Sequence, residues 1–134
     1  MALQKPNESL RPIIALDASI LMEVHKRGVD LQEDVKEVLE LVEWAIPRAV
    51  ERELSLVEKK GLRQRKAVRI ARKWMEKAGV KVLETRALEG DEALRELAVK
   101  GCWIATNDKA LRQSLKKTTG NILFLRQGKR LEKA

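Results

Sequence analysis

Four carboxylates in this chain fall where a short apolar run gives way to a helical pattern. Asp17 directly ends the run Ile13-Ile14-Ala15-Leu16, and Glu53 lies in the second turn of the helix expected after Glu43-Trp44-Ala45-Ile46. Asp91 opens the helix expected after Val80 to Leu83, and Asp108 follows Cys102-Trp103-Ile104-Ala105 in Thr106-Asn107-Asp108. If the apolar runs are parallel strands, these junctions share one edge of the sheet, where open α/β folds bind ligands. Carboxylates gathered there repel one another, and keeping them ionised together calls for a compensating cation. Oxygen donors without His or Cys favour hard ions such as Mg2+ or Mn2+. A carboxylate-held pair of such ions, about 3.5–4 Å apart, suits phosphodiester hydrolysis, one ion polarising the attacking water and the other stabilising the leaving oxygen. Each acid also has a structural use. Asp at a helix start is a good N-cap, worth about 1 kcal/mol, which accounts for Asp91 and Asp108 taken singly, and Glu53 reads equally as a surface helix residue. Asp17 is harder to explain that way, because it closes an all-apolar run.

The elements that must position these acids follow from periodicity. Pro12 and Asp17 bound a buried strand over 13–16, and a short helix over 18–27 is stopped by Gly28. Leu31, Val35, Val38, Leu39 and Val42 recur at helical spacing and predict a helix over 31–41. A strand over 43–46 precedes Pro47, which suits the first turn of a helix running to Lys60 with Gly61 as its stop. The clearest helix spans Leu62 to Ala78. Ala67, Ile70, Ala71, Trp74, Met75 and Ala78 make its apolar stripe, and Arg63, Lys66, Arg69, Arg72, Lys73 and Lys77 occupy the rest. Strands over 80–83, 102–105 and 121–125 alternate with helices from Gly90 to Gly101 and from Asn107 to Lys116. That alternation predicts an α/β fold, a parallel sheet of about five strands with helices on both faces. Residues 1–11, with Pro6, Asn7 and Ser9, read as a loose arm, 12–126 as the domain and 127–134 as a basic tail.

The remaining composition narrows the partner. With 134 residues there is room for one domain, and 44% hydrophobic residues are enough for a core. A single cysteine, Cys102, excludes an intrachain disulfide and a Cys-based zinc site and suits a reducing, cytoplasmic setting. The longest apolar run, Pro12 to Leu16, is far short of the ~20 residues that span a bilayer, and no secretory signal is visible, so no membrane partner is expected. The formal charge is +8, and it is unevenly spread: residues 30–58 carry nine acids and three bases, 59–81 ten bases and one acid, 109–133 eight bases and one acid. Two basic blocks in one small domain point to a polyanion. Arg63, Lys66, Arg69, Arg72 and Lys73, with Lys109 and Arg112, are the expected phosphate contacts. His25 is the sole histidine, so acid–base chemistry built on histidine lacks a second member. Cys102 is expected buried and inert, Trp74 in the core rather than stacked on a base, and Trp103 packed against a helix. No glycine-rich phosphate loop occurs, which sets NTPases aside.

The four junctions also carry a resemblance. Leu16-Asp17-Ala18-Ser19-Ile20-Leu21-Met22 resembles the opening motif of PIN-domain nucleases, Pro47-x-x-Val50-x-x-Glu53-Leu54 their second, Asp91-x-x-Leu94-x-x-x-Ala98 their third and Ala105-Thr106-Asn107-Asp108-Lys109-x-Leu111-Arg112 their fourth, in order over residues 12–126. The resemblance implies a three-layer α/β/α domain and a metal-dependent endoribonuclease. It implies that Asp17, Glu53, Asp91 and Asp108 are catalytic and hold Mg2+ or Mn2+, with Ser19, Thr106 and Asn107 in supporting polar positions. Glu92 is the neighbouring alternative for the third role, and the spacing to Leu94 and Ala98 favours Asp91. The Thr-Asn-Asp-Lys-x-Leu-Arg run, with Phe124-Leu125-Arg126 further on, is similar to the archaeal branch near small-subunit rRNA-processing nucleases, which implies structured or ribosomal RNA as substrate. The lack of a cysteine cluster separates it from the zinc-ribbon branch. Toxins of the virulence-associated protein C type share the four acids, so a toxin ribonuclease with an antitoxin partner stays open, and homodimers are common in related families. A third expectation is a non-catalytic RNA-binding assembly factor, whose acids are helix caps and salt-bridge partners.

Overall fold

A computed structural model describes residues 11–134 of the protein; apart from Arg11, the expected N-terminal arm lies outside the described residues. Ile13–Leu16 forms β1, Glu43–Pro47 β2, Lys81–Leu83 β3, Trp103–Ala105 β4 and Ile122–Arg126 β5. They lie in the order β3-β2-β1-β4-β5, and every neighbouring pair is parallel. The apolar runs become strands because the sheet is covered: in central β1, Ile14, Ala15 and Leu16 are fully buried, as a strand with helices over it requires. Burial of each such Leu or Ile is worth roughly 1.5–3 kcal/mol, and Ile46, Ile104, Ile122 and Leu123 extend the same core.

The helices are α1 (Ala18–Leu21), α2 (Leu31–Val35), α3 (Arg48–Val57), α4 (Leu62–Ala78), α5 (Gly90–Val99) and α6 (Lys109–Leu115). They flank the sheet in the three-layer arrangement the alternation calls for. α4 has the expected bounds, because Gly79 ends it in the left-handed conformation (φ 71°) that favours glycine. Three helices are shorter than the sequence suggests; α3 ends at Val57, with turns in place of its expected last residues to Lys60. α1 stops at Leu21 and gives way to turns, in which Glu23 N and Val24 N donate to the Ile20 and Leu21 carbonyls. α2 stops at Val35, and Lys36 to Val38 follow as turns. Pro47 is not helical: at φ −71°, ψ 151° it ends β2 and stands at the N-cap of α3. Its fixed φ suits both states, so the sequence does not discriminate between them.

The basic tail is not simply a tail. Arg130–Lys133 forms a sixth strand, β6, antiparallel to β5 with Leu125 opposite Leu131. Gln127 (φ 55°) and Gly128 (φ 68°) make the reversal. Buried Leu131 is the anchor, and one apolar residue among charged neighbours gives no alternation to read. α2 locks the hairpin: Leu131 N donates to Asp34 Oδ2 at 3.2 Å. Trp74 packs in the core, edge-on to Trp44 with ring centroids 5.2 Å apart. Trp103, expected against a helix, carries Lys133 Nζ of β6 at 5.6 Å from its ring centroid.

Candidate active site

Because β1 to β5 are parallel, their carboxyl ends line one edge, and the residues after β1 and β4 meet there through hydrogen bonds. Asp17, leaving β1, donates its backbone N–H to the Ala105 carbonyl at 3.0 Å. Asp17 as a residue is 7% exposed, and a carboxylate on so buried a residue requires donors. Ala18 N donates to Oδ1 at 2.8 Å, while the Ser19 and Thr106 hydroxyls donate to Oδ2 at 2.9 and 2.6 Å. Both hydroxyls accept in turn: Asn107 N donates to Ser19 Oγ at 2.9 Å and Asp108 N to Thr106 Oγ1 at 3.0 Å. Thr106 is fully buried. The Asn107 side chain works on the far side of the same loop, its Oδ1 accepting from Leu125 N of β5 at 2.8 Å. The three supporting residues therefore join the ends of β1, β4 and β5.

Asp108 caps α6, its Oδ1 accepting from Leu111 N at 3.0 Å. Its side chain is exposed at the loop that Thr106 anchors. Asp91 lies within the first turn of α5, after Gly90, and is largely exposed; Glu89 holds the N-cap position, so Asp91 is not the cap its place in sequence suggests. Glu53 reaches this helix from α3: a Cβ built on Gly90 would lie 2.6 Å from Glu53 Oε1 and 3.0 Å from its Cδ. Absence of a side chain at 90 is thus what admits the Glu53 carboxyl against the start of α5. In the sequence Gly90 marks a helix opening; a glycine directly before an edge acid is the signal for this close approach.

The four acids share one electrostatic environment. Burial, then the negative charges of Asp17 and Asp91, push the Glu53 carboxyl above the usual range. The partial loss of solvent at this edge, then Asp17 and Asp108, push Asp91 the same way, with Arg95 opposing and Glu92 adding to the rise. Glu92 itself is exposed and pairs with Arg95 one turn on, so Asp91 is the member of this pair coupled across the edge to Asp17 and Asp108. Among the described residues no three His, Cys, Asp or Glu side chains are drawn into a ligating cluster. The donors nevertheless fit a hard divalent cation in kind, being all oxygen, with Glu53 and Asp91 held above the usual range by partial burial and by neighbouring negative charge.

Of the expected phosphate contacts, Arg63, Lys66, Arg69 and Lys73 are exposed on α4 and Lys109 is exposed on α6, while Arg112 is half-buried. Arg72 does not join them. Its Nη1 donates to Glu51 Oε2 at 2.7 Å and its Nη2 to Ser55 Oγ at 3.0 Å, with Glu58 Oε1 4.0 Å away. It is the bolt between α3 and α4, because the acids of α3 face it. Cys102 is buried, and burial raises its thiol pKa, which suits an inert thiol. Among the described residues no helix is long and apolar enough to cross a membrane.

A mostly parallel sheet between helices, with carboxylates along its strand carboxyl ends, places the chain among the small α/β/α domains whose sites form at that edge. Residues 14–128 match the family described as a PIN-like domain, and the chain belongs to that family. Among solved structures it is similar to the PIN domain endonuclease Utp24, with a TM-score of 0.69 and 25% identity over 91% of this chain and 92% of that one. No curated protein sequence matches it at a significant level.

Proposed function

We propose that this protein is a metal-dependent endoribonuclease that hydrolyses phosphodiester bonds of structured RNA, with a ribosomal RNA precursor as the favoured substrate. The supporting observation is the gathering of four acids from four different strand–helix junctions of a PIN-like domain: Glu53 packs against Gly90 at the start of α5, partial burial and then Asp17 and Asp91 raise Glu53, and partial burial and then Asp17 and Asp108 raise Asp91. The likeness to an endonuclease over nine-tenths of both chains supports the same reading. In it, Asp17, Glu53, Asp91 and Asp108 would hold Mg2+ or Mn2+, which when bound supplies Lewis-acid activation of water and neutralises charge on the phosphoryl oxygens. The chain's own residues do the placing. Thr106 and Ser19 fix the Asp17 carboxylate by donating to it. Gly90 leaves room for Glu53. The exposed face of α4, with Lys109, draws the RNA backbone to the acidic edge and offsets its repulsion. The ribosomal assignment rests on the likeness of Thr106–Arg112 and Phe124–Arg126 to the rRNA-processing branch.

The test is Mn2+-dependent cleavage of labelled RNA by the wild type and by Asp17→Asn and Asp108→Asn. Loss of cleavage by about 10³-fold or more in both, with the fold kept, is the expected outcome; undiminished cleavage sinks the proposal. A second reading has its own observation, since Asp17 and Asp108 both accept from helix-start N–H groups as ordinary caps. In that reading the protein binds RNA without cutting it, and tight RNA binding with no cleavage and no divalent-ion binding decides for it. A toxin role for the same chemistry would show as an antitoxin-like reading frame beside the gene. A cytoplasmic location suits either nuclease role and the free thiol of Cys102.

A further inference from the structure

Beside the acidic edge, two guanidinium groups are parked over one aromatic ring. Arg112 Cζ lies 4.7 Å from the Phe124 ring centroid, and Arg126 Cζ lies 5.5 Å from it. Phe124 and Arg126 are two residues apart on β5, so their side chains leave the same face of the strand. Arg112 comes from α6, one turn after Asp108, and its Nη1 donates to the Thr106 carbonyl at 3.3 Å. The group is thereby tied at both ends to the loop that carries Asp108: through Arg112 to Thr106, and through Leu125 N to Asn107 Oδ1.

The charges of this group are incompletely answered. Among the described residues no carboxylate pairs with Arg112. Arg126 meets Glu132 of β6 at 2.6 Å through Nε, and no partner among the described residues takes its Nη nitrogens. That pair is exposed, so it is weak and exchangeable. A guanidinium stacked on a ring is pre-oriented and loses little freedom when it binds a planar or tetrahedral oxyanion. Phe124 is only half-buried, so its ring serves as a platform rather than as core filling. Two forked donors on one platform at the strand carboxyl edge offer more than one phosphate contact at once, which suits a polynucleotide backbone better than an isolated small anion.

We propose that Arg112 and Arg126, stacked on Phe124, form the subsite for the RNA backbone phosphates flanking the bond held at the acidic edge, with Glu132 as the internal competitor for Arg126. The subsite rests on the endoribonuclease reading. It differs from the α4 surface in being pre-oriented and adjacent to Asp108.

The probe is a fluorescein-labelled RNA oligonucleotide of mixed sequence. Cleavage is followed with Mn2+ in the otherwise wild-type chain, and binding is followed across a salt titration in the Asp17→Asn background. Arg126→Gln and Arg112→Gln should each raise KM and weaken binding by roughly three- to ten-fold, and each should make the single-strand salt slope shallower by about 0.7. Phe124→Leu should weaken binding with no change of charge. Arg112→Lys should recover part of the affinity, since it keeps the charge but not the planar stack. Glu132→Gln should bind more tightly than its parent, and the gain should largely vanish in the Arg126→Gln background, whereas simple loss of a repelling charge would persist there. Unchanged KM and salt slope in both arginine variants, or a Glu132→Gln protein that binds no tighter, overturns the subsite while wild-type cleavage leaves the nuclease reading standing. Weakened binding in the arginine variants of a protein that never cleaves overturns the nuclease reading and leaves the RNA contact. A wild type that neither binds nor cleaves RNA overturns both.

Discussion

Thr106 Oγ1 lies 2.6 Å from Asp17 Oδ2 and accepts from Asp108 N at 3.0 Å, so one buried hydroxyl joins two acids 91 residues apart in sequence. The donor is used on the first residue and the lone pair on the second, which fixes the hydroxyl's direction. Thr106→Val keeps the shape and removes both bonds. It leaves a buried carboxylate oxygen short of a donor, and destabilisation of about 1–3 kcal/mol by urea unfolding is expected. Thr106→Ser should restore most of the stability and the cleavage rate. A valine variant as stable as wild type would mean that Ser19 alone suffices to hold Asp17.

The raised carboxyls make stability depend on pH in a defined direction. Glu53 and Asp91 hold their protons more tightly folded than unfolded, so between the ordinary carboxyl range and the raised one the native state binds more protons. Stability then falls as pH rises through that window. Glu53→Gln and Asp91→Asn should therefore melt above wild type at pH 7 without divalent ions. The difference should shrink as the pH is lowered through the carboxyl range. Melting curves at several pH values check this, and an advantage that grows on acidification contradicts the assigned direction.

Gly90 is predicted to separate stability from activity. Alanine there replaces the most flexible residue at the start of a helix, which favours folding by up to about 1 kcal/mol. Its Cβ would meet Glu53 Oε1 at 2.6 Å, and the carboxyl must move. Gly90→Ala should retain or gain melting temperature while cleavage falls at least several-fold. Equal activity would show that Glu53 reaches the edge by another rotamer.

Divalent ions should stabilise the fold by mass action. At 100 times its dissociation constant, an ion that binds only the folded state adds about 2.7 kcal/mol. Mn2+ should raise the melting temperature of the wild type and raise it far less in Asp17→Asn. Identical shifts in the two proteins would place any bound ion elsewhere.

Neighbouring arginines and lysines on α4 should respond differently. Lys66→Gln and Arg69→Gln remove exposed charges, so each should lower RNA affinity for every sequence and reduce the salt slope by about 0.7, with unchanged melting. Arg72→Gln breaks the links to Glu51 and Ser55 and should lower stability instead. A salt slope that drops for Arg72→Gln with no change in melting would return that residue to the RNA surface.

Much of this architecture is legible along the chain. Runs such as Ile13–Leu16 are fully apolar because a doubly covered parallel strand has no face for water, and Gly79 or Gly101 marks a helix end because left-handed backbone needs no Cβ. The parallel alternation alone brings Asp17 and Asp108 to one edge, since Asp17 follows β1 directly and Asp108 lies in the short loop after β4. The remaining decisions needed contacts between residues far apart in sequence. β6 exists because Leu131 finds a place beside Leu125 and its backbone finds β5 and Asp34. Arg72 leaves the basic face because the acids of α3 lie opposite it. Glu53 belongs to the edge because Gly90, 37 residues away, has no side chain to exclude it. Local pattern determines which residues can be strand, helix or acid at a junction, because it reports burial and backbone freedom one element at a time. Which charges face each other is set only when the elements pack, because Coulomb interactions and hydrogen bonds depend on distance in space and not on distance along the chain.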